Sequence, residues 1–447
     1  MSESHSTKVL EQMAALACEA AAKCGAEFAD ALASSSRTIS APVEKNGIKA
    51  LREHHRDYVS VRCFVGGGIG SASSPNLEKE EVRKAAESAV RMAKMAERDP
   101  DFVTLPSPGD HSKVAGLFDE KLAGMSAAKL VEMMADEIDS ARNVDDRIQV
   151  VEGDAGLSVR SAALVNSLGV REDLSGTWLS LYLMSMVRKD DEVASAYEFD
   201  CARRLADFKS EGVGAEAARE TIRQLGAANV GTGRYPVILG PLASETLFTS
   251  IAACANSEDV QKQRSFLAGK RGKRIGSKQV TLVDDGLIPG GMSSGAVDAE
   301  GSVRKRVDIV RDGVLVGYLH SLYTSLKAKE ENTGHGDRSG GVSPTNVIPS
   351  LGTSAAKEIV SGVKEGLYVE HGEFAPDLRT GEISATVDWG FWIKNGEFAF
   401  PVKNTMVGGG AIELLTRIDA ISSDYREEPG AIMPTVLISE AAVAGSK

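Results

Sequence analysis

The residue types able to do chemistry gather in a few glycine-rich segments of this chain. Val283-Asp284-Asp285-Gly286 and Asp298-Ala299-Glu300-Gly301 place four carboxylates at two turns, a composition that could hold a cation or a peptide amine. The same residues are also turn formers whose carboxylates cap their own backbone, and spacing alone does not choose between the two. His335 and Asp337 stand in Thr333-Gly334-His335-Gly336-Asp337, a loop that could make a metal or substrate contact but where a solvated turn is the leading expectation. None of the seven histidines forms a His-x-x-x-His or His-Glu-x-x-His pair, so no local motif encodes a self-sufficient metal site. His54 and His55 are adjacent and point apart in regular structure, while His320 and His371 fall at strand-like positions and read as sheet-surface residues.

Other signatures are weaker. Val65-Gly66-Gly67-Gly68-Ile69-Gly70 follows a strand pattern but lacks the spacing and the immediate helix of a phosphate cradle, so a glycine-rich hairpin turn is expected. No serine nucleophile elbow is present. Cys18, Cys24, Cys63, Cys201 and Cys254 are odd in number and widely spaced, which fits neither a disulfide framework nor a zinc ribbon and points to a reducing cytoplasm. Cys63 and Cys254 read as small buried apolar residues.

The elements that must position these residues follow from periodicity. Residues 7–24 carry Val9, Leu10, Met13, Leu16, Ala17 and Ala20 on one helical stripe, and Val82, Ala85, Ala86, Ala89, Val90 and Ala93 make a second helix over 78–97. Between them Val59, Val61, Cys63 and Val65 alternate as one face of a strand. A Pro-rich stretch, 99–108, then breaks the pattern and marks a subdivision near 99–120. Leu130, Met133, Met134, Ile138 and Ala141 make a third helix, 148–187 is strand-like, and 214–228 is a last helix before the linker Gly231-Thr232-Gly233-Arg234. The main boundary is therefore placed near 229, dividing 1–229 from 230–447. Beyond it, Asp312-Gly313 and Asn395-Gly396 signal two-residue hairpin turns, and strands are expected over 235–239, 280–283, 314–319, 367–369, 383–387 and 435–439, with one main helix over 243–254. The class is α+β: helices packed on a sheet, then a large, mostly antiparallel β-rich half.

Size and charge bound the function. A chain of 447 residues with 42% hydrophobic and 26% charged residues can bury two or three cores. Its net charge, 51 − 63 = −12, repels phosphate backbones and anionic membranes and speaks against nucleic acid as a partner. Met1 to Ser6 is polar, no secretory signal is visible, and apolar runs stop well short of the roughly 18 residues of a membrane span.

The C-terminal half carries a resemblance. In order and spacing, Ser265-Phe266-Leu267, Val283-Asp284-Asp285-Gly286, Asp298-Ala299-Glu300-Gly301, Asp312-Gly313-Val314-Leu315, residues 324–327 and Asn332-Thr333-Gly334 resemble the TldD/PmbA family. Asn166-Ser167-Leu168-Gly169 and Phe391-Trp392-Ile393-Lys394-Asn395-Gly396 agree with it, so the resemblance covers about residues 30–447. The family was first described as modulators of DNA gyrase and is understood as proteases working as a TldD/TldE pair, of which TldD carries zinc on a His-Glu-x-x-x-His helix with a cysteine near the C-terminus. By ungapped counting the histidine positions fall on Phe248 and Ala253 and the glutamate on Thr249, no histidine lies between His111 and His320, and no cysteine follows Cys254. The resemblance is therefore to the TldE/PmbA-type subunit. It implies no cofactor in this chain, zinc in a TldD-like sister, unfolded peptides as substrates, and a homodimer when the chain is alone. It also implies that Asp284, Asp285, Asp298, Glu300, Asn332, Thr333 and His335 line the chamber or the subunit contact without performing a catalytic step. Two alternatives stand beside it: a stand-alone hydrolase built from distant residues, and a regulatory protein-binding module of the gyrase-modulator kind.

Overall fold

A computed structural model describes residues 6–446, so Met1–His5 and Lys447 lie outside the described residues. Helix α1 (Thr7–Lys23) buries Leu10, Met13, Ala14, Ala17 and Ala21 at three- and four-residue steps. It leads into β1 (Phe28–Glu44), the short β2 (Gly47–Ile48), β3 (Arg52–Val65) and β4 (Gly68–Ser74). The β3–β4 hairpin pairs Val65 with Gly68 and turns on Gly66 and Gly67, whose φ of 56° and 83° suit glycine. The glycine run is thus a hairpin turn. Next come α2 (Lys79–Met95), the one-turn α3 (Glu120–Ala123) and α4 (Ala127–Arg142). Strands β5 (Gln149–Asn166), β6 (Arg171–Asp173), β7 (Gly176–Lys189) and β8 (Glu192–Ala202) precede α5 (Val213–Arg223).

These strands make one antiparallel sheet in the order β4-β3-β1-β5-β7-β8, with β2 beside β1 and β6 beside β5. Because β1 pairs β3 on one side and β5 on the other, the sheet continues across the irregular stretch 96–119. Helices α1 and α2 cover Val59, Val61 and Cys63, the apolar face read from the alternation, while α4 and α5 cover Leu157, Leu179 and Leu181. The alternate face of β3, which carries Arg62, is turned to the C-terminal half.

That half opens with β9 (Gly233–Leu239), α6 (Pro241–Cys254) and α7 (Ser257–Gln261). A small antiparallel sheet follows, in which β10 (Leu282–Asp285) lies between β11 (Arg306–Arg311) and, after β12 (Val314–Leu315) and α8 (Leu322–Ala328), the later β13 (Val347–Pro349). The chain continues through α9 (Ala356–Ser361), β14 (Glu365–Gly372), β15 (Glu382–Lys394), β16 (Glu397–Pro401) and β17 (Met406–Gly410). It ends with α10 (Ala411–Thr416), β18 (Ile418–Glu428) and β19 (Ala431–Ala444). Strands pair in the order β14-β9-β19-β17-β15-β16 with β18 on β19, and a β14–β15 pairing closes five of them into a ring. Only β14 and β9 run parallel among the described pairs. Asp312-Gly313 and Asn395-Gly396 both turn with positive φ at each residue, the geometry that fits a tight hairpin to twisted strands.

Four local expectations are corrected. Helix α5 stops at Arg223 instead of running to 228, Gly233 and Arg234 already belong to β9, β10 begins at Leu282 instead of Val280, and the strand expected over 314–319 ends at Leu315. No helix among the described residues is long and apolar enough to cross a membrane.

Candidate functional site

Helix α6 is preceded by the N-cap Gly240 and begins at Pro241, where the missing proline N–H costs nothing. Its Leu247, Phe248 and Ile251 enter the main core of the C-terminal half beside Leu239, Val369 and Val436. Phe248 is wholly buried, the Thr249 hydroxyl donates to the Glu245 carbonyl at 2.6 Å, and Ala253 is exposed. A phenyl ring, a hydroxyl bound to its own helix and a methyl on another face offer no donor set for a dication. Among the described residues no group of three or more His, Cys, Asp or Glu is placed to hold a metal ion.

The acidic and polar turns come together, but inside the protein. Asp284 is fully buried at β10, with Oδ1 2.8 Å from His335 Nε2 and Oδ2 accepting the Thr345 N–H at 2.6 Å. His335 Nδ1 in turn lies 2.9 Å from Thr333 Oγ1. His335 is 2% exposed, so the solvated turn expected there is wrong: the carboxylate that pairs with it comes from a strand 51 residues earlier and roofs the loop. Asp298 is also buried; its Oδ1 accepts the N–H groups of Glu300 and Ser302 at 2.9 Å and its Oδ2 that of Gly336 at 2.8 Å. Asp285 and Asn332 accept from Leu287 N–H at 2.9 Å and Gly334 N–H at 3.0 Å. These contacts are those of turn-capping residues, and they tie the 284, 298 and 335 loops into one brace. His320 departs from its sheet-surface expectation too, being buried outside any strand.

Glu300 extends the brace to the N-terminal sheet. Its Oε1 lies 3.1 Å from Arg62 Nη1, and Arg62 also gives Nη2 and Nε to Asp30 Oδ2 at 2.6 and 2.9 Å. Arg338, from the loop after His335, bonds the other Asp30 oxygen and donates Nη2 to the Ser60 carbonyl at 3.1 Å. Two guanidiniums thus meet two carboxylates across the junction of the halves, a balanced and mostly dry network.

A cavity of about 660 Å3 opens elsewhere along the same junction. Tyr197 Oη, on β8, lies 2.8 Å from His371 Nε2 on β14, and His371 Nδ1 lies 3.0 Å from Asp388 Oδ2 on β15. Trp389 packs against Tyr197 with ring centroids 4.7 Å apart, and Gln224 and Asn404 complete the polar wall. Burial raises the Tyr197 hydroxyl to about 12, so it stays protonated at neutral pH. The same cause lifts the Cys63, Cys201 and Cys254 thiols to about 12, which leaves them without thiolate character.

Glu245 on α6 is one of two acids, with Glu300, that are raised from 4.5 to about 7; at Glu245 the causes are burial, then the nearby Glu428 charge. Between those two values the folded chain keeps a proton that the unfolded chain has lost, so this group lowers stability as pH rises from 4.5 to 7. Glu245→Gln should therefore flatten the stability profile across that window in urea unfolding at a series of pH values; an unchanged slope would mean that Glu245 ionises normally.

Family models described as PmbA/TldA metallopeptidase domain 1, central domain and C-terminal domain match residues 29–93, 120–225 and 232–445. The chain belongs to the PmbA/TldD family. Metalloprotease PmbA of Escherichia coli O157:H7 is 23% identical over 98% of this chain and 96% of that protein. A Haemophilus influenzae protein named metalloprotease TldD homolog is 27% identical over 46% of this chain and 44% of its own length. The crystal structure of TldE from Thermococcus kodakarensis matches with a TM-score of 0.89 and 26% identity, covering 96% of this chain and 99% of that one. A PmbA/TldD-family metallopeptidase implies a metal, and the side chains at the α6 positions that the resemblance aligns with its ligands, Phe248, Thr249 and Ala253, do not fit one.

Sequence reasoning missed Asp30, Arg62, Arg338, Tyr197, Gln224 and Trp389. The one available signal was Arg62, a charge within the buried apolar end of β3, which in a two-faced sheet marks the face that meets another polar body.

Proposed function

We propose that this chain is the metal-free subunit of a TldD/TldE-type peptidase, pairing with a zinc-bearing TldD-like sister and helping to guide unfolded peptides to it. The observation that carries this reading is α6, where Phe248 belongs to the core and neither Thr249 nor Ala253 can bind a dication. The likeness to a protein titled TldE over nearly the whole chain supports the subunit role. Free Cys18, Cys24, Cys63, Cys201 and Cys254 support a reducing, cytoplasmic setting. No catalytic step is assigned to Asp284, Asp285, Asp298, Glu300, Asn332, Thr333 or His335; their hydrogen bonds support a role in holding the loops and halves in place.

The test is hydrolysis of an unstructured peptide by the purified chain with zinc, alone and then mixed with the sister. The chain alone should be inert, and the mixture should cleave faster than the sister by itself. Cleavage by the chain alone that a chelator abolishes would sink the proposal.

A further inference from the structure

The cleft between the halves contains main-chain groups that no other described residue bonds. Strand β8 ends the N-terminal sheet and pairs only with β7, in one unbroken register from Lys189 opposite Glu192 to Leu179 opposite Ala202. In an antiparallel ladder each residue directs its N–H and C=O either both toward the neighbour or both away. Phe199 directs them away: its N–H donates to Glu198 Oε1 at 2.8 Å and its carbonyl accepts from Arg426 Nη2 at 3.2 Å. The Cys201 N–H, bonded to the Asp200 carboxylate, has the same phase. Counting back by twos, Tyr197, Ser195 and Val193 also point their main-chain groups off the sheet, and all three line the 660 Å3 cavity. No partner among the described residues meets those groups.

A second feature borders the same space. Gln224 is only 7% exposed, yet its side-chain Nε2 has no acceptor among the described residues. A buried amide without a partner is costly unless something bonds it, and Gln224 is one of the residues that line this cavity. Donors and acceptors at alternate residues of a free strand edge, with one more unpartnered amide donor on a residue of the same wall, are the complement of a peptide main chain. Val193 to Tyr197 spans about 13 Å at roughly 3.3 Å per residue, room for a strand of about five residues. Around the mouth, Asp191, Glu192 and Asp388 outnumber Lys403, in a protein of net charge −12. That balance favours a cationic occupant.

We propose that this cleft binds an extended peptide carrying basic residues, added as a strand to the outer edge of β8 with Gln224 holding one of its carbonyls. The inference rests on the peptide-guiding reading above and names the path and the charge of what is guided.

The experiment measures binding of a fluorescently labelled, unstructured lysine-bearing octapeptide to the full chain, alone and with its sister, by anisotropy at low and high salt. Ser195→Pro removes one outward N–H and leaves the β7 ladder intact, a position where an edge strand tolerates proline. Gln224→Leu removes the side-chain amide donor at similar volume. Ser195→Pro should weaken binding about tenfold, the scale of one or two lost hydrogen bonds. Gln224→Leu should weaken it severalfold, and high salt should weaken it further; unchanged circular dichroism and melting would show that the variants are folded. If Ser195→Pro does not fold, Gln224→Leu carries the same test. Wild-type affinity in the folded variants, or equally tight binding of an acidic octapeptide, would overturn the cleft while leaving the peptide-guiding reading in place. Absence of peptide binding by both the wild-type chain and its complex would remove the two together.

Discussion

Asp30→Asn should lower the unfolding free energy by about 3–5 kcal/mol, the range for breaking a buried ion pair from one side. Asp30 is 1% exposed on β1 and accepts from Arg62 at 2.6 and 2.9 Å, while Arg338 takes its other oxygen. The amide keeps the shape and loses the charge, which leaves two guanidiniums facing Glu300 alone. Since Arg338 and Glu300 come from the C-terminal half, the loss falls on the contact between halves, and hydrogen exchange should accelerate in the loops around residues 298–302 and 334–342. Urea unfolding of the full chain measures the first effect and exchange the second. Glu81→Gln is the control, because its Lys84 partner at 2.8 Å sits on the open face of α2 and should matter little. If Asp30→Asn costs no more than that control, packing and not charge holds the halves together.

How far the sequence reaches can be judged from individual elements. The hairpins at Gly66-Gly67, Asp312-Gly313 and Asn395-Gly396 were legible because two-residue turns impose a backbone demand that only a few residue types meet. Helices α1, α2 and α4 were legible because each has one buried stripe. Strand β1 was not, although at 17 residues it is among the longest in the chain. Its first half is buried nearly without interruption, so Ala and Ser fill both faces and the alternation that announces a strand disappears.

The site divides in the same way. The acids at 284, 298 and 300 could be singled out by composition, yet whether they face solvent depends on pairings over 51 residues with His335 and 238 residues with Arg62. Likewise Tyr197 and His371 meet across 174 residues. Local pattern has no access to contacts of that length. The resemblance to a family did reach that far, since it carries a whole fold at once.

The α6 positions give the second large effect. Phe248→Ala should cost about 3–5 kcal/mol, the usual cost of emptying a buried phenyl site, because Phe248 is 0% exposed among Leu239, Leu247, Ile251, Val369 and Val436. The sharper test is the triple variant Phe248→His, Thr249→Glu, Ala253→His, which writes the His-Glu-x-x-x-His pattern into this helix. Five residues along an α-helix turn the side chain by about 140°, and here that separates a core position from an exposed one. The imidazole at 248 would replace core packing with a buried polar group lacking a partner, a loss in addition to the missing phenyl contacts. The triple variant should therefore be destabilised by at least as much as Phe248→Ala, bind zinc no more tightly than the wild-type chain in competition with a chromogenic chelator, and gain no peptide hydrolysis over the wild-type chain. Stoichiometric zinc binding at wild-type stability would show that α6 is still built as a metal helix and that the core around Phe248 is not what excludes the ion.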